Sequence, residues 1–166
     1  MTTVSVYSYT QSVTYVTDNI LKSLKDILRV SGLDPTGLVG DWDALHRGIK
    51  AWIDSQHLEL VILEVYHPKT DALIIRWDIS VSYTWDSAAG NFWTDTEQLK
   101  YAIKKAGLMP IDASYRVVVT TADGRPEVSG WSSSNLRSTD GFVRQSLGTT
   151  IEHNGLGANT TYWRST

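Results

Sequence analysis

An α+β domain, with helices and an antiparallel sheet sharing one core, is what the sequence predicts, and three observations predict it. Apolar residues recur at the helical period before residue 55, change period after 57 and alternate with polar ones over 72–85, and return to the helical period behind a capping signal at residue 94. The chain of 166 residues is one domain by length. A chain of that size buries roughly 70% of its unfolded surface, so no staple is needed.

The first helix is predicted over 12–31. Val13, Val16, Ile20, Leu24 and Ile27, joined by Leu21 and Leu28, fall on one face, and Gly32 with Pro35 supplies the stop. A second helix over 41–55 starts at Asp41, whose carboxylate suits an N-terminus, and puts Trp42, Leu45, Ile49, Trp52 and Ile53 on one side. The period then becomes two over 57–66 and 72–85, on either side of a turn at 67–71. Leu73, Ile75, Trp77, Ile79, Val81, Tyr83 and Trp85 alternate with polar residues, which describes a long hairpin with one buried face.

Thr94 and Glu97 are spaced as a capping box for a third helix, which turns Leu99, Ala102, Ile103 and Ala106 inward and ends at Gly107. A strand over 115–121 is closed by the turn Asp123-Gly124. From Glu127 onward the composition shifts to Ser, Thr, Gly and Asn, and only 142–151 and 159–164 look able to pair as strands. With few large apolar anchors, this C-terminal segment is expected to be peripheral and among the least stable parts of the domain.

Composition removes several function classes. The absence of cysteine excludes disulfides, thiolate metal sites and cysteine nucleophiles. Acidic residues outnumber basic ones 18 to 15, which is the wrong balance for a phosphate-driven nucleic-acid binder. The longest aliphatic run, Leu60 to Leu63, is far short of the ~20 residues that span a bilayer. The start of the chain lacks the charge and apolar stretch of a secretory signal, so a cytoplasmic protein with no membrane partner is expected.

Catalytic motifs are equally sparse. His46, His57, His67 and His153 lack the i, i+4 pairing of a helical metal site. Glu152 beside His153 resembles an acid–base pair, yet neighbours on an extended strand point to opposite faces. Gly155-Leu156-Gly157 lacks the context of a phosphate loop, and no Gly-Xaa-Ser-Xaa-Gly elbow occurs. No cofactor is called for. Of the seven tryptophans, Trp42, Trp52, Trp77 and Trp85 sit on buried-looking stripes, whereas Trp131 and Trp163 lie in the polar C-terminal segment and are expected to dock it onto the body.

Several strings carry a family likeness: Tyr7-Ser8-Tyr9-Thr10, the helix residues from Val13 to Leu24, the run from Phe92 to Leu108, Arg137-Ser138-Thr139-Asp140-Gly141, Gly155-Leu156 and Tyr162-Trp163-Arg164. Through them, and through its element order, the chain resembles the HORMA domain. The likeness is strongest to bacterial HORMA proteins of the cyclic-oligonucleotide anti-phage systems called CBASS, and it covers essentially the whole chain. It implies an antiparallel sheet with three helices packed on it and a C-terminal safety belt, divided here as a flexible N-terminus at 1–10, a core at 11–129 and the belt at 130–166.

The resemblance implies a non-catalytic switch. The belt would wrap a closure-motif peptide that adds to the sheet as a strand, and the closed form would bind and activate a CD-NTase second-messenger synthase. A AAA+ remodelling ATPase would then grip the N-terminus at Thr2, Thr3, Val4 and Ser5 and release the peptide; a second HORMA protein is a further candidate partner. On this reading the belt strand Phe142, Val143, Arg144, Gln145, Ser146 and Leu147 pairs with a sheet edge, while Trp131 and Trp163 pin the two ends. Two other functions stay open from the residues alone: a small enzyme with a dispersed site, such as His153 with Asp140 or Glu152, and a constitutive structural subunit.

Overall fold

The computed structural model describes residues 7–87 and 90–165. Helix α1 spans Tyr9–Val30, three residues earlier than its apolar stripe suggests. The cause is a capping box the stripe does not show: Ser8 Oγ accepts from the Gln11 backbone N–H, and the Gln11 side chain accepts from the Ser8 N–H. A helical turn that the pattern did not predict, α2 at Thr36–Gly40, follows an Asp34 carboxylate that accepts from both Oγ1 and N–H of Thr36. Those two bonds hold the Asp34 carboxyl below its ordinary range, and the turn buries Leu38. Helix α3 spans Trp42–Asp54, with Asp41 at its N-cap position but without the expected side-chain capping bond.

Strands β1 (Leu58–Tyr66) and β2 (Leu73–Tyr83) form the expected hairpin, in a register that sets Leu63 opposite Trp77. After the short strand β3 (Trp93–Thr94) comes α4, at Thr96–Ala106. Here the expected capping box is corrected. Thr94 is held extended by pairing with Ile151, its hydroxyl bonds the Tyr15 hydroxyl, and the cap falls one residue later, where Asp95 accepts from the Gln98 N–H. Strand β4 (Ser114–Thr121) and the C-terminal strands β5 (Phe142–His153) and β6 (Leu156–Ser165) complete the sheet. Its order is β3-β5-β6-β2-β1-β4, and every pairing is antiparallel.

The core lies between the helices and one face of this sheet. Val61, Leu63, Val65, Ile75, Trp77 and Ile79 turn toward α1 and α3, while Ile62, Glu64, Arg76 and Asp78 alternate to the opposite, helix-free face. The C-terminal segment is less peripheral than its composition suggests. Ile151, His153, Leu156, Ala158, Thr160 and Tyr162 are buried, so β6 and the end of β5 belong to the core, and the exposed stretch runs from 122 into the first half of β5, where Val143, Arg144 and Ser146 are exposed. Small residues at alternate positions of β6 let it lie close under α1, which is why a polar-looking sequence builds a buried strand.

Candidate functional site

The two outer edges of the sheet differ. Strand β4 pairs with β1 on one side, and among the described residues no backbone hydrogen bond joins its other side to any segment. An eight-residue strand of alternating Tyr115, Val117, Val119 and Arg116, Val118, Thr120 therefore offers a row of free backbone donors and acceptors. Bare edges are normally blunted or covered; this one is encircled.

The encircling element is the connection from β4 to β5. It first runs along the helix side. Trp52 Nε1 donates to Pro126 O at 2.7 Å, Arg47 donates to Ser129 O at 3.0 Å, and Trp131 Nε1 donates to Ala44 O at 2.9 Å. The Trp131 ring meets Trp52 edge-on, with centroids 5.0 Å apart. Gly48 makes that approach possible, because a Cβ at this position would lie 2.2 Å from Trp131 Nε1.

The chain then turns round the outside of β4 and continues on the helix-free face. There Arg116 donates to Ser134 Oγ and to Asn135 O, and Arg137 is locked in place. The Arg137 backbone N–H reaches Glu64 Oε2 at 2.8 Å, its guanidinium reaches Glu64 Oε1 at 2.8 Å and Asp71 Oδ1 at 2.5 Å, and the same group lies 3.5 Å over the Tyr66 ring. Glu64 is 0% exposed and also accepts from Arg116 Nε at 2.5 Å. Burial works against charge on Arg137, but its bonds to Asp71 and Glu64 outweigh that and raise its pKa above the ordinary value.

Two cavities lie along β4 and meet at Arg116 and Val117, the first covered by this loop and the second set against α2 and α3. One, of roughly 410 Å³, is bounded by Trp52, Val119, Arg125 and Trp131, and the other, of roughly 490 Å³, by Leu38, Asp41, Leu45 and Tyr115. The arrangement is a lined channel along a free strand edge, covered by the polar strap at its Thr121 end and bounded by α2 and α3 at its Ser114 end. It suits an extended chain better than a compact ligand.

Of the residues singled out from the sequence, the structure brings Trp131 to this channel. Phe142 to Leu147 form the first half of β5 and pair with β6; β6, in turn, is the strand that docks on β2. Trp163 stands on β6 opposite Arg76, donating to Asp78 Oδ2 at 3.2 Å with the Arg76 guanidinium 5.9 Å over its ring. Neither Trp163 nor the 142–147 stretch lines the channel. Thr2, Thr3, Val4 and Ser5 lie outside the described residues. Glu64, Arg116 and Arg125 escaped the sequence reading, and Arg137 entered it only within a string of family likeness, with no role assigned. A signal was present: Glu64 interrupts the apolar run from Leu60 to Tyr66, and a buried acid in such a strand needs a basic partner.

The pairing of His153 with a carboxylate does not occur among the described residues. His153 is 0% exposed, with Nδ1 bonded to Ser12 Oγ at 2.7 Å and its ring stacked 4.0 Å from Phe92. Glu152 points the other way and accepts from the Gly155 N–H. Among the described residues no group of three or more His, Asp or Glu side chains could hold a metal, and no helix is long and apolar enough to cross a membrane.

Comparison with known proteins agrees with this geometry. A family model described as "Bacterial HORMA domain 2" matches residues 1–166. No curated protein matches significantly. Among solved structures, a chain of the Mitotic Checkpoint Complex superposes with a TM-score of 0.70 at 10% identity, covering 90% of this chain and 98% of that one. C. elegans HTP-2 bound to the HIM-3 closure motif gives 0.67 at 13% identity, covering 96% and 93%. The E. coli complex of CdnC with HORMA-deltaN gives 0.62 at 11% identity, covering 99% and 94%. At these identities the likeness is one of fold.

Proposed function

The chain belongs to the bacterial HORMA domain 2 family, and from that premise we propose that it is a peptide-clamping signalling adaptor whose channel along β4 is the peptide site. The observation that carries the reading is the free β4 edge enclosed by the 122–141 strap. An extended peptide laid there adds a seventh strand, paired through backbone hydrogen bonds, with alternate side chains entering the two cavities. Support for the closure-motif class of peptide comes from the similar fold of C. elegans HTP-2, solved bound to the HIM-3 closure motif.

Enclosure sets the kinetics. A peptide inside the ring leaves only when the strap lets go of α3 at Trp131 or of β1 at Arg137, so release follows local opening rather than simple dissociation. The belt then comprises residues 130–166, with Trp131 as its anchor on the helix side, and with 142–147 and Trp163 holding the hairpin that ends it.

The partner we propose is a CD-NTase synthase, which the closed, peptide-filled protein binds and activates; support is the E. coli complex of CdnC with a HORMA protein. A AAA+ ATPase gripping residues 2–5 would reverse the state. The protein has no chemistry of its own on this reading. The test is reconstitution: synthase product formation is measured with the protein alone, the protein plus a channel-binding peptide, and a Val118→Pro variant that disrupts the β4 edge. Stimulation by the peptide-loaded protein and not by V118P is expected. Equal stimulation without any peptide would point to a constitutive subunit instead.

A further inference from the structure

The channel has an electrical polarity. Arg125 lines the cavity at the Thr121 end of β4, half-buried, with its guanidinium 5.0 Å from the Trp52 ring centroid. Among the described residues it takes part in no ion pair, and no carboxylate lines that cavity. The other cation there, Arg116, is already engaged by Glu64, Ser134 and Asn135. At the opposite end, next to Ser114, the second cavity carries one carboxylate, Asp41, which makes no capping bond to its own helix.

From these placements we propose that the channel selects an extended peptide bearing an Asp or Glu side chain at the position facing Arg125, with an apolar residue two positions away against Val117, Val119 and Trp131. The inference rests on the peptide-clamp reading and adds to it which peptide is held. Its physical basis is threefold. A guanidinium withdrawn from water and lacking an anion gains more from an incoming carboxylate than a fully solvated one does. Stacking on Trp52 fixes its orientation, so little side-chain freedom is lost when the carboxylate arrives. An acid at the other end would instead meet Asp41, which sets the direction in which the peptide lies as well as its composition.

A library of displayed random peptides about ten residues long, selected separately on the wild-type protein, Arg125→Glu and Arg125→Gln, tests this. The best wild-type peptide is then synthesised with its acid intact and replaced by the matching amide. Expected are one dominant acidic position with wild type, Lys or Arg at that position with R125E, no charge preference with R125Q, and roughly tenfold weaker wild-type binding of the amide peptide. The R125Q arm keeps the test decisive should charge reversal unfold the strap, which a thermal melt of each variant reports. If selected peptides bind through the β4 edge, as loss of binding to V118P shows, yet carry no acid preference, then Arg125 only packs on Trp52 and the proposal is overturned while the clamp reading stands. If no peptide is enriched on any of the proteins, both fall.

Discussion

Arg137 and Glu64 join the strap to the middle of the sheet through two different parts of one residue, the backbone N–H to one carboxylate oxygen and the guanidinium to the other. The backbone bond fixes where the strap lies, and the guanidinium supplies the charge that a wholly buried carboxylate requires. The pair therefore ties the β4–β5 connection to strand β1.

Arg137→Ala leaves Glu64 with Arg116 as its one remaining cationic partner, and breaking a buried pair in this way costs about 2–3 kcal/mol, reduced from the full penalty by that partner. The expected outcome is a peptide off-rate at least tenfold faster, with the helices intact by circular dichroism. An unchanged off-rate would show that the strap is held elsewhere.

Gly48→Ala reverses an ordinary rule. A buried helix glycine replaced by alanine gains about 1 kcal/mol of helix propensity, but here the new methyl occupies the space of the Trp131 indole. The variant is expected to lose the Trp131–Ala44 hydrogen bond and the Trp52 contact, release peptide faster and melt no higher than wild type. Tryptophan fluorescence should shift to the red as Trp131 enters water.

Trp163→Ala separates the hairpin from the channel. Trp163 is half-buried on the helix-free face, so its loss should cost less than the ~3–5 kcal/mol of a fully buried tryptophan. A lowered melt with a modestly faster off-rate, about threefold, is expected; the off-rate rising as much as with R137A would make Trp163 part of the tie that holds the strap.

Alkaline pH gives a fourth check. Burial and the neighbouring Tyr9 push the Tyr83 phenol above its ordinary pKa, and its hydroxyl donates to Leu58 O at 2.7 Å. Because the fold favours the neutral form, this contribution is whole below about pH 10, the unfolded value, and is lost as pH rises beyond it. Denaturation midpoints measured from pH 8 to 11 should fall above pH 10 for wild type and fall less steeply for Tyr83→Phe.

The helices and the hairpin were legible because each buries a face with its own period: the Val13 to Leu28 stripe and the Leu73 to Tyr83 alternation are written at two to four residues' range. The start of α1 was not, since its cap is a serine outside the stripe, and α2 is a single turn fixed by the Asp34–Thr36 bonds and by the distant Tyr115 hydroxyl. In the C-terminal half, local pattern misleads for a physical reason. Strand β6 is buried by fitting small residues such as Ala158 and Thr160 on its core face, and burial of small or hydroxyl-bearing side chains leaves no hydrophobic period. The channel is the least legible part, because Arg116, Arg125, Glu64 and Trp131 are brought near one another only by the path of the strap, although Glu64, the buried acid of β1, marked the need for a basic partner.

Amide hydrogen exchange along β4 tests most directly whether a peptide completes the sheet there. In the free protein the outward-facing amides among residues 114–121 should exchange quickly, alternating with those bonded to β1. Adding a selected peptide should protect those outward amides by at least a hundredfold and leave the β5 edge unchanged. Protection appearing on 142–150 instead, or on no strand edge while the peptide remains bound, would contradict a clamp built on β4.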